Sequence, residues 1–293
     1  MRIGVATYSY HRTLFTRWRN YPATGKVTLE DFLPHLKELG AEGVHINNMH
    51  IDATEKSRRS LRDRLREMGF YVHVSCGSVT APARTPKEIA EGVRPNLELA
   101  RFLGAEVGCL ISHFFRTYEG IDIGKELKVA VEVLKLLAPQ AEDLGVKLAM
   151  ENHADFRSDE LVRIMTEVGS PWVGINVDIA NPFKVFEDPL QAVKKMSPYA
   201  LSSHIRDSKF LSLTEPEGGG RYGFSVINTC LGSGLLPMRS IIETLHKENP
   251  DIALNVESIP GVIDEDLCVR QCIDYLKELV AEVEGRGVSH PSS

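Results

Sequence analysis

Two rhythms of apolar and polar residues run through this chain. Short apolar runs rich in branched side chains occur at Ile3–Ser9, Val44–Asn48, Tyr71–Cys76, Val107–Ser112, Lys147–Glu151, Val173–Asp178, Leu201–Arg206 and Ile252–Glu257. Each has the length of a buried strand. Between them the apolar positions recur at helical spacing, from "TLEDFLPHLKEL" after the first run to "DEDLCVRQCIDYLKELVAEVE" after the last. One junction recurs five times. A helical pattern ends in glycine and a strand follows within a few residues, as in "HLKELGAEGVHI", "RLREMGFYVHV", "LARFLGAEVGCLI", "QAEDLGVKLAM" and "IMTEVGSPWVGINV". Gly40, Gly69, Gly104, Gly145 and Gly169 stand where a helix end needs the left-handed conformation. Thr28 with Asp31, and Ser158 before "DELVRIM", are the predicted N-caps.

Strands alternating with helices predict an α/β fold with a parallel sheet covered by helices. Eight such units in 293 residues fit a single (β/α)8 TIM barrel, a fold of ~250 residues. A doubly wound sheet would carry a glycine-rich turn after its first strand. That place holds "TYSYHR", which has no glycine. The barrel is expected over residues 1–284 and a disordered tail over 285–293, "GRGVSHPSS". Two connections are long, Tyr10 to Val27 and Ser208 to about Pro237. Both follow strands, so both should overhang the C-terminal face of the barrel, where active sites are built.

The composition narrows the function. The chain is 43% hydrophobic and 25% charged, with a net charge of −6. It has no basic stripe for nucleic acid or an anionic membrane. No apolar run reaches the roughly 18 residues of a membrane span. The start, "MRIGVATYSYHR", lacks the apolar stretch and cleavage site of a signal peptide. Five cysteines without paired spacing predict reduced thiols and a cytoplasmic home. Cys268 and Cys272, one helical turn apart, read as two buried small residues on one helix face.

Four consecutive strands end in groups that could do chemistry. Glu151 closes the fifth, Asp178 the sixth, His204 lies near the end of the seventh, and Glu257 closes the eighth. On a barrel these ends are neighbours on one rim. Three carboxylates so close repel one another, and a divalent cation held by the carboxylates and one imidazole resolves the conflict. The alternative is an ion-pair network with Arg206, Lys184 or Lys209.

The order of "AMENH", "NVDIAN", "HIRDS", "GSGLLPM" and "NVES" resembles the xylose isomerase-like barrels, a superfamily of sugar isomerases and epimerases that also holds inosose and dehydroshikimate dehydratases and endonuclease IV-type nucleases. The resemblance covers nearly the whole chain. It implies a single metal site of Glu151, Asp178, His204 and Glu257, with Mn2+ the first choice and Mg2+, Co2+, Zn2+ or Fe2+ as alternatives. It implies a small sugar or cyclitol substrate, and a homo-oligomer, since many relatives are dimers or tetramers. In the related ketose 3-epimerases one metal-bound Glu takes a proton alpha to a carbonyl and the other returns one to the opposite face. Glu151 and Glu257 would be that pair. The same enediolate could instead expel a β-hydroxyl, which would make the enzyme a dehydratase or lyase on a keto-sugar, ketocyclitol or 3-keto-glycoside. A nuclease is the remote alternative, opposed by the acidic charge and by the absence of an Asp-x-His pair in "LTEPEGGGRYGF".

The chain departs from the epimerase pattern at two places. Asn181 stands where those enzymes carry a substrate-binding His, and Phe210 where they carry an Arg. Arg206 replaces a Lys common in the wider family, and is either a pocket residue beside His204 or a salt-bridge partner of Asp207 or a neighbouring strand. His73 belongs to the end of strand three and His113 follows strand four, and both would contact substrate or serve as buried hydrogen-bond partners. His153 is either an orienter of the metal site or a loop residue. His45, Asn47 and Asn48 would line the pocket or be satisfied barrel polars. Trp18, with Tyr8, His11 and Tyr21, would form an aromatic wall for substrate or simply pack the first loop.

Overall fold

The protein is described by a computed structural model over residues 1–14, 17–18, 21–22, 27–214, 221–258 and 264–285. Eight strands form one closed parallel barrel. They are β1 (Arg2–Ala6), β2 (Gly43–Ile46), β3 (Tyr71–Ser78), β4 (Val107–Ile111), β5 (Lys147–Glu151), β6 (Val173–Asp178), β7 (Ala200–Ile205) and β8 (Ala253–Val256). Neighbours in sequence are neighbours in space, and β1 closes the ring between β2 and β8. The helices on the outside are α1 (Leu29–Glu38), α2 (Glu55–Glu67), α3 (Pro86–Leu103), α4 (Ile123–Leu144), α5 (Ser158–Val168), α6 (Pro189–Met196), α7 (Met238–Glu248) and α8 (Glu265–Val283). The predicted TIM barrel is therefore the fold. The large apolar core lies between the strands' outer faces and the helices, with Leu33, Leu36, Leu97, Leu134 and Leu137 fully buried.

All five predicted glycines have positive φ, from 63° at Gly169 to 87° at Gly40. Thr28 caps α1 as predicted, accepting the Asp31 N–H. Ser158 is the first residue inside α5, one place later than expected. The Glu160 carboxylate turns back to accept the Arg157 N–H (2.7 Å) and Glu187 accepts that of Ser158 (2.8 Å), so acidic side chains do the capping.

Three further readings change. β1 stops at Ala6, because Thr7–Tyr10 turns into a 3-10 helix that carries the chain over the barrel rim. The connection after β7 is an antiparallel hairpin, Asp207–Thr214 paired with Arg221–Thr229, where a loop was expected. Its glycine-rich centre masks two alternating segments that pair with each other and not with the barrel. The cysteines are not all reduced thiols. Cys230, just past the hairpin, is disulfide-bonded to Cys268 of α8, their Cα atoms 5.6 Å apart. The two are 38 residues apart in sequence, and only the return of the hairpin onto α8 brings them together. Cys76, Cys109 and Cys272 are free and buried. Residues 286–293 of the predicted tail lie outside the described residues. No described helix is long and apolar enough to cross a membrane.

Inside the barrel, Tyr71 seals the end opposite the strand termini. Its ring lies so close to β1 and β2 that a Cβ on Gly43 would come within 2.3 Å of it, and one on Gly4 within 2.2 Å of its hydroxyl. That hydroxyl donates to Asn255 Oδ1 (3.1 Å), Asn255 Nδ2 donates to Ser202 Oγ (3.2 Å), and Ser202 meets His73 Nδ1 (2.9 Å). Burial pushes the His73 pKa down to about 3, so this ring is neutral. A polar floor thus spans three strands, β3, β7 and β8. We predict that Gly43→Ala, which crowds Tyr71, loses about 1–3 kcal/mol of stability. Urea unfolding checks this, and an unchanged midpoint and slope would show that Tyr71 does not fill that space tightly.

Candidate metal centre at the barrel mouth

Strand register brings the four predicted ligands to one place. Asp178 of β6 lies beside His204 of β7, and His204 beside Asn255, two residues before Glu257. Period-two alternation then turns Glu151, Asp178, His204 and Glu257 to the barrel interior. One donor atom from each can be chosen so that all lie within 4.8 Å of one another. The four residues are buried, none more than 9% exposed. Three carboxylates and an imidazole at this spacing are a donor set that could hold a divalent ion.

Three of the four donors are held by hydrogen bonds to a second group. Asp178 Oδ1 accepts the backbone N–H groups of Ala180 and Asn181, both at 2.8 Å, which leaves Oδ2 for the cluster. Asn152, just past the end of β5, clamps the same residue. Its Nδ2 donates to the Asp178 carbonyl and its Oδ1 accepts the Asp178 N–H, both at 2.8 Å. Glu151 accepts from Asn181 Nδ2 at 3.3 Å and from Asn176 Nδ2 at 3.4 Å. His204 Nδ1 stands 3.3 Å from Glu151 and 3.6 Å from Glu257, while its Nε2 meets His45 Nδ1 at 2.6 Å. If Nδ1 is the ligand atom, the proton sits on Nε2 and is donated to His45. His45 then carries its own proton on Nε2, facing Ser75 Oγ at 3.1 Å. Burial and the neighbouring His204 and His73 hold the His45 pKa well below its ordinary value, which suits a neutral acceptor.

The charges are unevenly shared. Burial raises the Glu151 carboxyl pKa, but His204, with His153 and Arg206, outweighs it and holds this group below the usual range. Burial prevails at Glu257, whose pKa is raised despite His204 and Arg206. Burial alone would keep His204 neutral, yet Glu257 and Glu151 push it up to about 9. Arg206 Nη2 lies 2.6 Å from Asp178 Oδ2 and Nη1 lies 3.6 Å from Glu257. When His204 is neutral, as a ligating imidazole must be, one guanidinium faces three carboxylates, a deficit of two charges that a divalent cation fits.

A sequence model described as "xylose isomerase-like TIM barrel" matches residues 33–288. The chain belongs to this family. It is 23% identical over 155 residues to the 3-oxo-isoapionate decarboxylase of Pectobacterium atrosepticum, a match covering 50% of this chain and 54% of that one. The chain spans little more than half the length of two curated relatives it matches, 56% and 54%. Among solved structures, that of an L-ribulose 3-epimerase superposes with a TM-score of 0.74 at 14% identity, covering 99% of both chains. The structure of the IolI protein with a bound zinc atom superposes with a TM-score of 0.72 at 14% identity, covering 97% of this chain and 99% of that one.

In this member of the xylose isomerase-like family the cluster opens into a cavity of about 450 Å3, lined by Glu151, His204 and Glu257 together with Tyr8, His45, Asn47, Phe115, His153, Lys184, Arg206 and Asn228. Arg206 thus lines the cavity and also pairs with the neighbouring strand, while Asp207 turns the other way. His153 is in the lining, stacked on Phe115 at 5.5 Å, and follows β5 on a turn closed by Ala154 at φ 66°. Asn181 is buried between Arg206 Nη2 (2.5 Å) and Glu151. His73 belongs to the barrel floor, and His113 is held by Thr80 Oγ1 (2.7 Å), so neither is in the lining. The Trp18 and Tyr21 side chains lie outside the described residues. Sequence reasoning missed Asn152 as the clamp and Lys184 as a lining residue. The polar pair "EN" closing an apolar strand was the available signal for the first.

We predict that His45→Leu, which deprives His204 of its acceptor, weakens Mn2+ binding by about 10–100-fold while the barrel stays folded. Titration calorimetry with circular dichroism checks both halves. Unchanged affinity would mean that the His45 contact does not orient His204.

Proposed function

We propose that this chain is a divalent-metal-dependent sugar isomerase or epimerase that works by moving a proton alpha to a carbonyl. The observation that carries this reading is the placement of two glutamates, Glu151 and Glu257, on either side of His204 at the floor of one cavity. Glu151, Asp178, His204 and Glu257 would hold the ion, with Mn2+ the first choice for a site of three carboxylates and one imidazole. When bound, the ion supplies the positive charge that a developing oxyanion requires. The chain's own residues do the rest. One glutamate removes the alpha proton and the other delivers a proton to the opposite face. Arg206 and Asn181 hold the carboxylates in place, and His153, Asn47 and Asn228 offer hydrogen bonds to sugar hydroxyls. The partner is a small sugar or cyclitol. The net charge of −6 speaks against a nucleic acid.

A carbon–oxygen or carbon–carbon lyase is the second reading, and two observations favour it. Asn181 is engaged with Arg206 and Glu151, and Phe210 packs in an aromatic row with Phe183 (4.9 Å) and Phe224 (4.8 Å), so neither is free to bind the end of a ketose with a polar group. A curated relative, moreover, is named a decarboxylase. Both readings begin with the same proton or electron-pair shift beside a carbonyl, and they part at the leaving group.

NMR in D2O with metal-loaded protein distinguishes them, over a panel of ketoses, keto-inositols and 3-keto-glucosides. Deuterium entry alpha to a carbonyl with mass otherwise conserved supports the isomerase. New vinylic signals, or loss of water, aglycone or carbon dioxide, support the lyase. Glu257→Gln, which keeps the shape and removes the proton carrier, should lower turnover by about 10²–10⁴-fold. Full activity in that variant would remove Glu257 from the mechanism.

A further inference from the structure

Lys184 is a cation with no use in the site as described so far. It sits in the 3-10 turn Asn181–Val185 that follows β6, half-buried, and it lines the same cavity as Glu151, His204, Arg206 and Glu257. Its turn is braced on both sides. Arg157 Nε donates to the Val185 carbonyl (3.3 Å) and the Glu187 N–H to that of Pro182 (3.0 Å). Among the described residues Lys184 makes neither a hydrogen bond nor an ion pair, although Arg206 finds partners in Asp178 and Glu257. Burial, with Arg206 nearby, pushes the Lys184 pKa down to about 8, against the pull of Asp178, Glu257 and Glu151.

The charge count gives Lys184 a purpose, and it rests on the metal-dependent reading above. Glu151, Asp178 and Glu257 carry three negative charges. A divalent ion and Arg206 together carry three positive ones. The loaded centre is therefore neutral, and a neutral sugar would leave the Lys184 ammonium partly desolvated and without a counter-charge. We propose that Lys184 is a specificity-determining residue and that the substrate is a sugar acid whose carboxylate it receives. One surplus ammonium balances a monoanion. A phosphate dianion calls for several donors, as at a helix N-terminus or a guanidinium fork.

Titration calorimetry on the full chain, metal-loaded and freed of excess metal, tests this with D-gluconate, D-glucitol and glucose 6-phosphate. The first two differ only in carrying a carboxylate or a hydroxymethyl group at one end. Wild type should bind gluconate about tenfold more tightly than glucitol, the effect of one partly buried charge-assisted hydrogen bond. Lys184→Met should abolish that preference and leave glucitol binding unchanged, and Lys184→Arg should keep most of it. Metal content and circular dichroism verify that each variant is intact. Three results overturn the proposal. They are no gluconate preference in wild type, a preference that survives in Lys184→Met and so places the carboxylate on the ion, or tighter binding of glucose 6-phosphate. Deuterium entry into neutral ketoses is read separately, so failure of the sugar-acid inference and failure of the proton-transfer reading are distinguishable.

Discussion

Mutual repulsion among three carboxylates buried at one end of a barrel is the constraint that the rest of this structure answers. Isolated in a low-dielectric interior, Glu151, Asp178 and Glu257 could not all stay ionised. The protein counters them locally, with Arg206 against Asp178 and Glu257 and with His204 between the two glutamates. The barrel makes the arrangement possible because its strands deliver side chains from different parts of the chain to one rim. The cost of burial is spread over backbone N–H groups, amide side chains and one imidazole pair, each of which satisfies a lone pair that water would otherwise take.

Orientation follows from the same network. The contact from His204 through His45 to Ser75 crosses from β7 to β2 and β3 through the barrel interior. Below it, Tyr71, Asn255, Ser202 and His73 form a second polar layer that needs Gly4 and Gly43 for its space. The cluster therefore rests on a floor that is both filled and hydrogen-bonded. A donor set supported this way is held in place by the scaffold around it, which is what a preorganised centre requires.

Much of this was legible in the sequence because the signals were local and repeated. Helix, glycine, strand recurs at fixed order, and each glycine takes the left-handed conformation its position demands. The candidate ligands stood out because polar groups ended apolar strands. What stayed hidden depends on long-range contact. The Cys230–Cys268 bond joins residues 38 apart, and no local spacing marks it. Among the described residues the hairpin after β7 pairs only with itself, so its alternation did not read as part of the barrel. His73 and His113 are strand-end histidines like any candidate ligand, and only the structure shows Ser202 and Thr80 engaging them. Lys184 carries no sequence signature, since a lysine in a turn is ordinarily solvated.

Asp207 offers a consequence of a different kind. It follows Arg206 directly but faces away from the cavity, and its carboxylate accepts the backbone N–H groups of Ser208, Gly232, Gly234 and Leu236 at 2.8 to 3.3 Å. Gly234 lies so close that a Cβ there would fall 2.0 Å from Asp207 Oδ1. The two ends of the hairpin are thus tied together at its root by a single side chain. Everything beyond that knot can lengthen, shorten or change sequence without disturbing the strand that carries His204. Evolution can revise what the overhanging arm touches while the chemistry underneath stands still, and the motif "RDS" marks the seam between the two.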